Sequence, residues 1–188
     1  FSKEQGFGDG MQFFRYVKPL SKIASQVTFS CEPYLKKLFE ASNIWDNVTI
    51  TDDFENVEPH DVWLYQMSLP VVVPEVENRA YLKAMPGTPV PKLPDGGFKV
   101  GIAWQGNPKH INDKNRSLKL SQFDHFPKNA TYFSLQANIH DANEVSRSKL
   151  GMTDVTRSLI DFNDTAKFIE QLDLVISIDS APIHLAGA

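Results

Sequence analysis

The sequence predicts an α/β protein built from two doubly wound parallel units, and three observations carry that prediction. The segment Asp173-Leu-Val-Ile-Ser-Ile-Asp-Ser-Ala-Pro-Ile-His-Leu-Ala-Gly-Ala188 reads as a buried strand, a polar turn and a helix start. The first 65 residues alternate helix-like and strand-like patterns, as half of a doubly wound sheet does. Between the two units, residues 85–97 hold four prolines and three glycines, the composition of an interdomain linker. The expected division is a first unit over 1–86, a linker over 87–97 and a second unit over 98–188.

Taken in order, Gly6-Phe-Gly-Asp-Gly10 predicts a tight turn, because glycine permits backbone conformations and close approaches that other residues do not. Met11, Phe14, Tyr16, Val17 and Leu20 then recur at helical spacing, which predicts a helix over 11–23 with a bend at Pro19. Residues 26–31 read as a strand and residues 33–42 as a helix with Leu35, Leu38 and Phe39 on one face. Residues 47–51 and 61–65 read as further strands, the latter followed by a loop over 66–70. The first strand of this unit is expected just before Phe1, with only its tail present. In the second unit, Phe98-Lys-Val-Gly-Ile-Ala-Trp104 is a strong buried strand. A long polar loop over 105–117, a weak helix over 118–126 and a strand over 131–136 follow, then a polar excursion to about residue 150. A helix over 161–172 and a buried strand over 174–178 complete the pattern. The chain stops inside its last predicted helix, and an open α/β sheet needs more chain there, so a fragment of a larger protein is expected. Trp45, Trp63 and Trp104 each lie in or beside apolar runs and read as core residues.

Composition narrows the function classes. A net charge of −4 argues against a general nucleic-acid binder. No apolar run reaches the roughly 18 residues of a membrane span, so no transmembrane segment is expected. Cys31 is the only cysteine, which excludes an internal disulfide and a cysteine-based zinc site and fits a reducing cytoplasm.

Three stretches carry candidate chemistry. In Gly6-Phe-Gly-Asp-Gly10, Asp9 is placed either as a general base or as the N-cap of the following helix. In the loop 105–117, Lys109, His110, Lys114 and Arg116 are cationic. Ser117 there could cap the next helix and also donate to a phosphate. Gln136 ends a strand at the same sheet edge as that loop, and so is a further ligand candidate. At the last turn, Asp179, Ser180 and the N–H groups of the following helix form an anion-binding shape, from which Pro182 removes one donor. His184, one turn into the helix, reads as a brace for that turn. A hydrolase triad is disfavoured because no Gly-x-Ser-x-Gly elbow is present. Metal chemistry is disfavoured because no His-x-x-x-His or His/carboxylate cluster recurs. A nicotinamide dehydrogenase is disfavoured because no Gly-x-Gly-x-x-Gly closes a βαβ unit.

Glu4-Gln-Gly-Phe-Gly-Asp9 with Phe13-Phe-Arg-Tyr16 resembles the opening of glycosyltransferase family 9-like domains, relatives of ADP-heptose:lipopolysaccharide heptosyltransferases. The version attached to tetratricopeptide repeats in bacterial proteins is the nearest likeness. Lys99-Val-Gly-Ile-Ala-Trp-Gln-Gly-Asn-Pro108 and Asn112-Asp-Lys-Asn-Arg-Ser117 resemble the second-domain opening of that group. Asp161-Phe-Asn-Asp-Thr165, Leu172 to Ser180 and His184-Leu-Ala-Gly187 complete the likeness, in order, over nearly the whole chain. The resemblance implies a GT-B architecture, two Rossmann-like domains facing a cleft, here truncated at both ends. It implies transfer of a sugar from a nucleotide-sugar donor to a saccharide, lipid-linked or protein acceptor, with no metal and no cofactor beyond that co-substrate. Asp9 matches the catalytic base, with Gly6, Gly8 and Gly10 as the acceptor-side loop. Asn107, Lys114, Arg116, Ser117, Gln136, Asp179, Ser180 and His184 fall on the donor and phosphate side. The alternative is a catalytically silent sugar-nucleotide-binding or scaffold module of a repeat protein.

Overall fold

The computed structural model describes residues 6–137 and 144–188. Glu4 and Gln5 of the opening motif and the expected tail of a first strand lie outside the described residues, as does part of the excursion after Gln136.

The first half builds α1 (Phe7–Phe14), α2 (Val17–Ile23), β1 (Val27–Ser30), α3 (Pro33–Ser42) and β2 (Val48–Thr51). β1 and β2 form a two-stranded parallel sheet in the register Val27 to Val48 through Ser30 to Thr51. The predicted 11–23 helix is corrected in two ways. It begins at Phe7, so Gly8 and Gly10 are helical, and it breaks at Arg15 and Tyr16, upstream of Pro19. Pro19 falls in the first turn of α2, where an N–H has no intrahelical partner anyway, so the ring bends nothing. In α3, Pro33 opens the helix, and Leu35, Leu38 and Phe39 are fully buried, as their spacing predicts.

The strand predicted over 61–65 does not form. Those residues are irregular, and Trp63 is 57% exposed rather than core. Among the described residues no strand pairs with them, so their β-prone side chains have no ladder to join. The chain then turns through a 3₁₀ segment (Gln66–Ser68) into the short α4 (Leu69–Val72), whose Leu69 is buried.

The second half builds β3 (Phe98–Ala103), β4 (Ala130–Ser134), α5 (Glu144–Arg147), β5 (Thr153–Asp154), α6 (Phe162–Ile169), β6 (Leu174–Ser177) and α7 (Ala181–Ala186). All pairings are parallel, and the spatial order is β5-β4-β3-β6. In sequence order that is 3-2-1-4, the arrangement of a Rossmann-like sheet, whose direction of growth reverses between β3 and β6. β3 is central and buried from Val100 onward. Val100 and Ile102 pack on one face with Trp104, Leu120 and Tyr132, while Ala103 packs on the other with Phe133 and Phe168. The weak helix expected over 118–126 is a 3₁₀ turn (Leu120–Phe123). β6, expected to be buried, is half-exposed with Leu174 at 43%. Among the described residues it is an edge strand, paired with β3 alone.

Residues 85–97 carry the turn geometry their composition predicts, with Gly87, Gly96 and Gly97 at positive φ. They are nonetheless strapped to the second half. The Met85 N–H donates to Asn163 Oδ1 at 2.8 Å and the Leu93 N–H to Gln171 Oε1 at 3.2 Å. Gln171 Nε2 returns a bond to the Pro91 carbonyl, and Leu93 is buried. The two sheets are separate, but their cores are not. The cluster of Met11, Phe14, Phe29, Leu38 and Phe39 also includes Leu185 of α7, and Phe162, Ala166 and Ile169 of α6 pack against it.

Candidate functional site

β3 and β6 are neighbours and end at the same edge, so the loop after β3 and the turn after β6 emerge side by side at the point where strand order reverses. Open α/β sheets bind ligands at that point. The loop after β3 is closed by the Leu118 N–H donating to the Trp104 carbonyl at 2.8 Å. Inside it, a 3₁₀ turn (Asp113–Asn115) presents Asp113 as the organising carboxylate. Ser117 Oγ donates to Asp113 Oδ2 at 2.9 Å, and Arg116 Nε donates to Asp113 Oδ1 at 3.2 Å. The Gly106 N–H donates to Ser117 Oγ at 2.9 Å. Ser117 therefore ties the loop to itself and does not cap the next turn, which begins after Lys119. Gly106 is required for space: a Cβ there would lie 2.3 Å from Asp113 Oδ1 and 2.6 Å from Arg116 Nη2. Asp113 is missing from the expected site residues. Its spacing of three and four before Arg116 and Ser117 was the available signal.

Arg116 also joins the two strand exits, since its Nη1 donates to the Asp179 carbonyl oxygen at 2.8 Å. In that second turn Ser177 Oγ donates to the Ile178 carbonyl at 2.8 Å. The Ser180 hydroxyl, 3.0 Å from Ser177 Oγ, is then the donor to it. Ser180 is the N-cap of α7 in extended conformation, and Pro182 stands in the first turn. The Asp179 side chain is 80% exposed, and His184 Nε2 lies 3.5 Å from its Oδ1, a long contact that braces the turn weakly.

α1 packs against the same imidazole. A Cβ on Gly8 would sit 2.6 Å from His184 Cδ2. A Cβ on Gly10 would sit 3.0 Å from Leu35 Cδ1. The expected glycine loop is thus a glycine-faced helix, and its glycines allow α1 to approach α7 and α3 closely. Only Gly6 stays outside, as the N-cap with φ −77° and ψ 176°. Asp9 is not the N-cap. It is the third helical residue, and its Oδ2 accepts the Gly6 N–H at 3.0 Å, the return half of a capping box.

The expected residues sort into three places. Gly8, His184, Asp179, Arg116 and Ser117 form one continuous chain of contacts, with Asp9 and Ser180 on the same helix starts. Asn107 and Lys114 are exposed on the outer loop, where Asn107 Oδ1 accepts the Lys109 N–H at 3.0 Å. Gln136 lies behind the site, 5% exposed. Its Oε1 accepts the N–H groups of Trp104 and Gln105 at 2.9 and 2.7 Å, and its Nε2 donates to the Gln105 carbonyl at 2.9 Å. Its amide is committed to backbone. Among the described residues no cluster of three or more His, Cys, Asp or Glu is placed to hold a metal ion, and no helix is long and apolar enough to cross a membrane. No protein-family model, curated protein or solved structure matches the chain.

Proposed function

We propose that the chain carries the site of a cytoplasmic GT-B glycosyltransferase, which moves a sugar from a nucleotide-sugar donor to an acceptor hydroxyl. The observation that carries this reading is His184. Its ring touches both the α1 turn that bears Asp9 and the Asp179 turn at the switch point of the second sheet. The helix start that bears Asp9 and the Asp179 turn therefore share one imidazole neighbour, which supports reading them as the base and the anion-binding turn of one transfer site. In this reading the two sheets belong to the acceptor and donor domains. Asp9 takes the proton from the acceptor hydroxyl as that oxygen forms its bond to the anomeric carbon. The bond from that carbon to the nucleoside diphosphate breaks, and the leaving group takes the electron pair. Arg116 and Lys114, with Ser180 and the Ala181 N–H at the start of α7, neutralise it in place of a metal; Pro182 has no N–H and that of Ile183 donates to the Ser180 carbonyl. Arg116 is held by Asp113 and by the Asp179 carbonyl, so its guanidinium is already oriented before any ligand arrives.

The silent sugar-nucleotide-binding or scaffold module is the second reading, and one observation favours it. The Asp9 carboxylate already serves the Gly6 N–H, which is a sufficient structural reason for an acidic residue there. Calorimetric titration with a panel of nucleotide sugars, alongside initial rates of transfer, separates the two. Asp9→Asn should lower turnover by roughly 10²–10⁴-fold with donor affinity little changed. Arg116→Ala should weaken donor binding by about 1.5–3 kcal/mol, the scale of a charged hydrogen bond. Donor binding without turnover in the unaltered chain, unaffected by Asp9→Asn, would favour the silent module. Absence of binding by every nucleotide sugar would dismiss the transferase and the sugar-nucleotide binder and leave the scaffold.

A further inference from the structure

We propose that a groove at the other end of α1 binds a small anionic molecule with an apolar body. The groove encloses about 630 Å³, within the usual range of small-molecule sites. One wall comes from the last turn of α1 and the first of α2, where Phe14, Arg15 and Lys18 stand. The C-terminal end of α3 forms the floor, and the irregular residues 75–83 form the opposite wall. That wall is fastened to the floor: the Lys83 N–H donates to Ser42 Oγ at 2.9 Å, and Ser42 Oγ donates to the Leu38 carbonyl.

Charge selects the ligand's sign. Arg15, Lys18, Lys22, Arg79 and Lys83 line the groove against only Glu75 and Glu77, in a chain whose net charge is −4. Glu77 is already paired with both Lys18 and Arg79. Arg15, Lys22 and Lys83 make no ion pair among the described residues. Arg15 is the most committed of these. Its guanidinium carbon lies 4.7 Å from the centre of the Tyr81 ring, which holds it in place by cation–π attraction. Its Nε is buried without a hydrogen-bond partner among the described residues, a state that costs free energy unless an acceptor enters. The apolar surfaces of Ile44, Trp45, Val76 and Leu82 select a body to go with the anionic group. Arg15 follows Asp9 by six residues, about 9 Å along the helix axis. The groove is therefore distinct from the sheet-edge site and does not depend on the sugar-transfer reading.

The test uses 8-anilinonaphthalene-1-sulfonate, which joins an anion to an aromatic body, and its uncharged analogue N-phenyl-1-naphthylamine. Fluorescence titration should give one saturable site per chain for the sulfonate, with the neutral analogue about tenfold weaker or more. Arg15→Gln should weaken the sulfonate by about tenfold or more, the scale of one charged hydrogen bond. Ala41→Trp, which fills the groove without removing a cation, should abolish binding while circular dichroism shows the fold retained. Should Arg15→Gln fail to fold, Lys22→Gln with Lys83→Gln removes two rim charges and should still weaken the sulfonate severalfold. No saturable binding, equal affinity for the two probes, or undiminished binding by folded Ala41→Trp would each overturn the proposal.

Discussion

At Gly8 two helices meet over a hydrogen atom, and the residue's role follows from that contact. A methyl group there would press on His184 at 2.6 Å. Overpacking of this kind costs about 1–3 kcal/mol, while alanine in a helix interior gains about 1 kcal/mol over glycine. Gly8→Ala should therefore cost about 1 kcal/mol in urea unfolding. In a His184→Ala background the obstacle is gone, and the same change should stabilise by roughly 0.5–1 kcal/mol. Strict additivity in that double-mutant cycle would show that His184 is not what Gly8 accommodates. Cys31 gives a second test at this scale. Burial, and secondarily the charge of Asp52, push its thiol up from 9.0 to about 12. The unfolded chain loses this proton near 9 and the folded chain keeps it. Between those values the unfolded state binds fewer protons, so the contribution of this thiol to stability is present below 9 and falls as pH rises. The slope is about 1.4 kcal/mol per pH unit. Cys31→Ala should flatten the pH dependence of unfolding between pH 9 and 11 relative to the unaltered chain, as read by urea midpoints. An unchanged slope would mean that the thiol ionises in the folded state.

Gln136 holds two elements together, and it marks the boundary of what sequence can reveal. A glutamine at a strand end beside a cationic loop resembles a ligand residue. The side chain instead bridges the exits of β3 and β4, satisfying two N–H groups and one carbonyl that the parallel ladder leaves open. Gln136→Leu strands those three groups and should destabilise by about 3 kcal/mol or more, at about 1–3 kcal/mol for each orphaned group. Stability unchanged in thermal melts, with donor affinity lost, would return the residue to a binding role. The elements legible in advance carried their own local signals. α3 shows an apolar stripe and an opening proline. α6 begins where the apolar spacing placed it, and Asp161 at its start accepts the Asp164 N–H. β3 shows Phe98, Val100, Ile102 and Trp104 at every second position. What was missed depends on distant neighbours. The glycines of α1 read as a turn because their true partners, His184 and Leu35, lie elsewhere in the chain. Residues 61–65 have strand composition and, among the described residues, no strand beside them. Whether a β-prone segment is buried, as β3 is and β6 is not, is decided by its place in the sheet and not by its residues.

For the whole molecule, the contrast lies between a composition that suggests a hinge and a core that does not stop at it. Residues 85–97 separate two sheets, yet Leu185 of α7 is buried in the same apolar cluster as Phe14, Phe29 and Phe39 of the first half. The packing of α1 on α7 and of α3 on α6 makes each half part of the other's core. The chain should therefore unfold as one cooperative unit, since neither half keeps its apolar faces covered alone. Trp45 reports on the first half and the fully buried Trp104 on the second. In variants retaining only one of these tryptophans, the fluorescence midpoint in urea should coincide with the midpoint by circular dichroism in both cases. Leu185→Ala opens a cavity in the shared cluster and should lower both midpoints together, by about 2–4 kcal/mol. If Leu185→Ala shifted the Trp45 transition alone, the first half would be an independent domain, and residues 85–97 a true hinge. Coincident loss instead ties the position of α1, and with it Asp9, to the integrity of the second sheet and its switch-point turn.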